Sequence, residues 1–182
     1  MKLKSILIMV GVLVVLGAAF LIINRPKPQP PAQPRQFVWQ VEMEQLAAMA
    51  ISLPHEKKRE AWVRHTDKYW YFDTPNGQMV NMKRWGGGIP LLLSGPGANR
   101  LIATNATSEE LRMYGLADPL MKIKLTLDNK RAIDIDVGDK TPGGEAYYIK
   151  LASAKDVYTV DYTWFDVLAR LVREPPYPEA GG

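Results

Sequence analysis

Nineteen consecutive residues near the N-terminus, Ser5 to Ile23 (SILIMVGVLVVLGAAFLII), carry no charge. As a helix rising about 1.5 Å per residue, such a run covers nearly all of a hydrocarbon core of about 30 Å. Residues 5–24 are therefore expected to form one transmembrane anchor helix behind a basic head, residues 1–4. A cleaved signal peptide ending at Gly17-Ala18-Ala19 is the competing reading, but apolar residues continue through Phe20-Leu21-Ile22-Ile23 beyond that site. Lys2 and Lys4 on one side nearly balance Arg25, Lys27 and Arg35 on the other, so the positive-inside rule is close to a tie. A four-residue head is easily kept in the cytoplasm, which favours an extracytoplasmic domain. Gly11 and Ala18, seven residues apart, form a small-residue stripe against which another membrane helix can pack.

Residues 25–36 (RPKPQPPAQPRQ) hold five prolines and no aliphatic side chain larger than alanine. They favour extended polyproline II and cannot build a core, so they form a semi-rigid tether. Five basic residues and no acid lie in residues 1–36, leaving 18 of the 23 basic residues against all 19 acidic ones. The isoelectric point of 9.2 thus belongs to the anchor and tether. A nearly neutral domain lacks the basic footprint of nucleic-acid binding, whereas a membrane surface explains basic flanks. The absence of cysteine removes disulfides, thiolate nucleophiles and cysteine-ligated metals.

Residues 37–174 are expected to form a soluble α+β domain, an antiparallel meander sheet with short packing helices, followed by a tail at residues 175–182. Phe37 to Val41 has strand composition, Glu42 to Met49 a helical turn, and Ala50 to Leu53 a second strand stopped by Pro54, with His55 to Glu60 as a polar loop. Ala61 to Arg64 and Tyr69 to Phe72 form the next two strands. The second is aromatic on both faces, Trp70 and Phe72 on one and Tyr69 and Tyr71 on the other, so both faces must be covered. Another element of the same chain is the readier cover, and Tyr69 and Tyr71 are the candidate partner contacts. Thr107-Ser108-Glu109-Glu110 carries the signature of a capping box, with Gly115 as the stop.

Met121 to Val137 reads as a hairpin whose parity selects its register. A three-residue loop, Asp128-Asn129-Lys130, puts Ile123 opposite Ile135, Leu125 opposite Ile133, Lys124 opposite Asp134 and Lys122 opposite Asp136. Those lysines answer the aspartates and argue against a calcium site at Asp134, Asp136 and Asp139. On this reading Asp136→Ala removes only an exposed pair, worth about 1 kcal/mol or less. Gly138 to Gly144 turns into strands at Tyr147 to Leu151 and Val157 to Val160. Trp164, Val167, Leu168 and Leu171 then line one face of a helix over Thr163 to Val172.

No catalytic, cofactor-binding or metal-ligating residues are assigned. The two histidines, His55 and His65, sit in charged, turn-like stretches without metal-ligand spacing, and Ser94 in Leu-Ser-Gly-Pro is not a nucleophile elbow. The glycines at 86–88 and 95–97 lack the order of a phosphate loop, and Pro96 has no N–H to offer an anion. Asn105-Ala106-Thr107 matches a glycosylation sequon, but a capping threonine accounts for it.

The stretches Tyr114-Gly115-Leu116, Gly138-Asp139-Lys140-Thr141 and Tyr147-Tyr148, with the order of elements around them over residues 37–173, resemble the bacterial family catalogued as domain of unknown function 4340. The resemblance implies an envelope protein with an N-terminal anchor and no established catalytic residues. The expected role is a non-enzymatic accessory or interaction subunit of a larger membrane complex of energy-transducing or transport type, with the bilayer and other integral membrane proteins as partners. An envelope hydrolase and a substrate-binding module of a transporter are the alternatives. A deep pocket with convergent polar groups separates those from a subunit that works through a flat apolar patch.

Overall fold

The computed structural model describes residues 12, 13, 16, 17, 20, 36–86 and 88–178. In the N-terminal unit Val12, Leu13, Leu16, Gly17 and Phe20 are helical and exposed. Among the described residues no helix is long and apolar enough to cross a membrane. Most of the expected span 5–24, including Gly11 and Ala18, lies outside the described residues, as does the tether up to Arg35.

The second unit is an α+β fold built on one antiparallel sheet of eight strands. In chain order these are β1 (Leu46–Leu53), β2 (Lys58–Arg64), β3 (Trp70–Phe72), β4 (Arg100–Ala103), β5 (Met121–Leu127), β6 (Ala132–Lys140), β7 (Ala146–Leu151) and β8 (Val157–Asp161). Four helices accompany them: α1 (Met82–Trp85), α2 (Ile89–Ser94), α3 (Ser108–Met113) and α4 (Tyr162–Arg173). The spatial order β3-β2-β1-β5-β6-β7-β8-β4 corrects the expected simple meander. Two meanders, β1 to β3 and β5 to β8, meet where β1 pairs with β5, and β4 lies at the edge beyond β8.

The expected hairpin register is observed: Ile123↔Ile135, Leu125↔Ile133, Lys124↔Asp134 and Lys122↔Asp136. Leu127 N–H bonds to Arg131 O across the loop, where Lys130 has a positive φ of 64°. The ion pair of Asp136, however, is not with Lys122. Its Oδ2 lies 3.3 Å from Nζ of Lys150, the facing residue on β7, which is buried and also donates to the carbonyls of Leu151 and Ala152. A hairpin read alone could not show this second neighbour.

Other boundaries shift for local reasons. Phe37 to Val41 is not a strand; Phe37 makes a single bridge to Gly97, while Trp39 packs edge-on against Trp164. A bulge between Leu46 and Ala48 buries both Leu46 and Met49, hiding the start of β1 from a strict two-residue alternation. The expected polar loop after Pro54 is only a 3-10 turn, Pro54–Glu56, and Lys57 in the left-handed region before β2 begins at Lys58. A second bulge between Val137 and Lys140 carries β6 three residues beyond its expected end.

One sheet face holds the main core. Met49, Ile51, Trp62, Ile123, Leu125, Ile135 and Ile149 pack there with Trp164, Phe165, Leu168 and Ala169 of α4. Val167, expected on that apolar face, is 41% exposed, and Phe165 and Ala169 take its place. The capping box of α3 forms as expected, with Thr107 Oγ1 accepting from Glu110 N–H and Glu110 returning to the Thr107 amide.

Candidate interaction surface

The aromatic hairpin between β2 and β3 is braced by its own chain. His65 N–H bonds to Tyr69 O, and Asp67 accepts from the Tyr69 amide at 3.0 Å and from the Tyr71 hydroxyl at 2.7 Å. The His65 ring stacks on Tyr71 with centroids 4.1 Å apart. The hydroxyl bond holds the Asp67 carboxyl below the ordinary range and raises the Tyr71 phenol. Trp70 and Phe72 point into the core, whereas Tyr69 is 49% exposed and Tyr71 half-buried. Both candidate contact residues therefore reach the surface, Tyr71 braced by His65 and Asp67 and Tyr69 the more exposed.

Strand registers extend this patch. Met79, Tyr71, Val63, Ala48, Thr126 and Ala132 face one another in sequence across five strand spacings. At about 4.8 Å per spacing the row is roughly 24 Å long. It carries no charge, and none of its side chains is fully buried. Two residues along the strands charge reappears in Lys124 and Asp134, and four residues along in Arg59, Lys122 and Asp136. The outer sheet face thus offers an uncharged stripe bordered by ions.

The side chains most readily given chemistry do not converge. His55 lies 3.3 Å from the exposed Asp118, His65 is stacked on Tyr71, and Ser94 Oγ donates to Leu91 O within its own helix. Among the described residues no group of three or more His, Asp or Glu is placed to hold a metal. Four surface clefts measure about 340, 330, 440 and 590 Å³, and neither histidine lines any of them.

Residues 175–178, expected only as part of a tail, form with Glu174 a strap across α1. Arg84 donates to the carbonyls of Glu174 (2.9 Å) and Pro175 (3.1 Å), Asn81 N–H donates to Pro176 O (2.8 Å), and Tyr177 stacks on Phe72. The Pro-Pro-Tyr-Pro sequence marks an extended segment, but nothing local points to Arg84 as its holder. The helix leading into the strap is fixed by Arg173, whose guanidinium donates through Nε and Nη2 to Glu56.

This clamp holds the Glu56 carboxyl below its ordinary range. Its contribution is therefore present above the unfolded-state pKa, about 4.3, and is lost as pH falls through the lower folded value. The stability difference between wild type and Glu56→Gln is expected to be largest near neutral pH and to vanish in acid, measured by urea titration. A difference independent of pH would mean that Glu56 acts through packing alone.

These features define an α+β domain with a single antiparallel sheet. Residues 94–174 match the model of a family described as Domain of unknown function (DUF4340). No curated protein and no solved structure matches the chain. The matched residues include β4 to β8, which are contiguous in the sheet, together with α3 and α4; residues 37–93, which supply β1 to β3, lie outside the match.

The motifs that carry the likeness meet in space. A Cβ on Gly138 would lie 2.1 Å from Tyr114 O, and one on Gly115 (φ 68°) would strike the Asp139 carboxyl. Asp139 N–H bonds to Tyr114 O, while Tyr148 packs on Tyr114 and Tyr147 stacks on Phe165. The motif residues form a tight junction between the turn after α3 and strand β6, which gives them a packing role.

Proposed function

We propose that the protein is a non-enzymatic accessory subunit held in a membrane by residues 5–24, with its domain outside the cytoplasm, and that it works by binding other membrane proteins. The observation that carries this reading is the join of an uncharged nineteen-residue run, through a proline-rich tether, to a folded domain. Confinement to the bilayer raises the effective concentration of any co-resident partner. Twelve residues of extended polyproline reach roughly 37 Å, enough to set the domain against the face of a large complex. The uncharged row around Tyr71 and the dispersal of His55, His65 and Ser94 support binding over chemistry.

The protein is expected to stay with membranes through a carbonate wash and to bring stoichiometric partners through mild-detergent purification, identified by mass spectrometry. Lysines at Val14 and Val15 should abolish retention, since each costs about 2.5–3.5 kcal/mol at a helix centre. Recovery of a soluble form beginning near Phe20 would overturn the anchor. A solitary monomer whose activity on a small substrate is lost with His65→Ala or Ser94→Ala would establish the hydrolase instead.

A further inference from the structure

The strap is held in the manner of a bound peptide. Consecutive prolines donate no hydrogen bonds, so an extended segment containing them is recognised through its carbonyl oxygens and the apolar faces of its rings. Both kinds of contact are present. The carbonyls of Glu174, Pro175 and Pro176 accept from Arg84 and from the Asn81 amide, Pro176 is buried, and the Tyr177 ring lies on Phe72 with centroids 4.5 Å apart. The receiving groove is made by Phe72, Asn81 and Arg84, from the edge of the sheet and from α1.

The groove is larger than its occupant. A cleft of about 340 Å³ opens beside Pro176, lined in part by Arg84 and Arg170, and another of about 590 Å³ adjoins Pro178, lined in part by Met79 and Met82. Both methionines are exposed, at 42% and 44%. Flexible thioethers at a surface repack around different ligands. Tyr177 itself remains 51% exposed, so its stack covers one ring face only.

We propose that this groove recognises an extended proline-rich segment of another protein, two prolines followed by an aromatic residue, and that residues 174–178 occupy it in cis until displaced. The occupant supplies the ligand chemistry: adjacent prolines, an aromatic two positions after the first, and free carbonyls. A segment tethered in cis competes at an effective concentration in the millimolar range. A partner overcomes it by filling the methionine-lined cleft that the strap leaves empty. Phe72, Asn81, Arg84 and Pro175 to Pro178 all lie outside the family match, so the groove is a feature of this chain beyond the matched part. The assignment gives the interaction role a partner chemistry and rests on that reading for its use, but binding in the groove does not require the anchor.

The test uses the full-length protein in detergent and a fluorescent peptide, Arg-Glu-Pro-Pro-Tyr-Pro-Glu, followed by anisotropy. Loosening the strap with Pro176→Ser and Tyr177→Ser should tighten peptide binding at least about tenfold over wild type, because the cis competitor is removed. Adding Arg84→Ala should weaken it again by about tenfold or more, through loss of charge-assisted bonds. A peptide with alanines for prolines should not bind. Equal affinity for wild type and the loosened strap, or indifference to Arg84→Ala, overturns the proposal.

Should the loosened variant fail to fold, amide exchange of the wild type decides. Asn81 N–H, which bonds to Pro176, should exchange at least about a hundredfold faster than the central-strand amide of Ile123, reporting local release. Equal rates would show that the strap opens only with global unfolding and would sink the idea. A concentration-dependent dimer formed by exchanged straps, seen by sedimentation, would make a second copy the occupant and overturn the assignment to another protein. Failure of the peptide assay leaves the membrane-complex reading intact, and failure of co-purification leaves the groove intact.

Discussion

Asp136→Ala is expected to destabilise the domain by about 3 kcal/mol in a denaturant titration, the low end of the cost of removing one partner from a buried pair. The substitution leaves the Lys150 ammonium, whose side chain is 9% exposed, with only backbone carbonyls for neighbours. Those carbonyls keep the effect from being larger. Asp134→Ala, two residues earlier on the same strand but exposed, is the control and should cost about 1 kcal/mol or less. Combining Asp136→Ala with Lys150→Met should recover much of the loss, since the buried charge goes with its partner. Similar effects at positions 134 and 136 would show that Lys150 finds water instead.

Trp62→Ala should have the larger effect, about 3–5 kcal/mol, because the side chain is fully buried at the meeting of sheet and helices. Its ring lies 5.3 Å from Trp85 and 6.1 Å from Phe72. The informative companion is Trp62→Phe. Neither the Trp62 nor the Trp85 indole N–H has an acceptor, so replacing Trp62 by phenylalanine removes a buried donor that gains nothing from its position. Trp62→Phe should therefore cost well under half of what Trp62→Ala costs, in the same titration. Equal costs would mean that the indole makes a contribution beyond its aromatic bulk.

Legibility in the sequence tracked the range of each interaction. The β5–β6 register could be read because parity, loop length and charge pairing all act between neighbouring strands. The capping box of α3 could be read because it closes within four residues. The Lys150 partner of Asp136, the Arg84 holder of the strap and the Arg173 clamp on Glu56 could not, because each joins segments that only the finished topology brings together. Bulges hid the ends of β1 and β6 for a different reason: one extra residue reverses the inside-outside alternation on which strand limits are judged. That Tyr69 and Tyr71 share one face opposite Trp70 and Phe72 could be read from the alternation, but neither the exposure of Tyr69 nor the brace of His65 and Asp67 around Tyr71 could.

The pairing of β1 with β5 bears on the order in which the chain can fold. Ile51 waits for Ile123, and β4 waits for Val157 to Thr159, each across more than fifty residues. At a synthesis rate of about 5–20 residues per second, the inner edge of β1 stays unpaired for several seconds after it emerges. During that interval the apolar side chains of β1 to β3 have neither β5 beside them nor α4, Tyr162–Arg173, to pack on them. Long-range pairing of this kind slows folding and exposes strand edges to wrong partners. Newly made chains should therefore need a holding chaperone until residue 173 has appeared, whereas a finished domain would not.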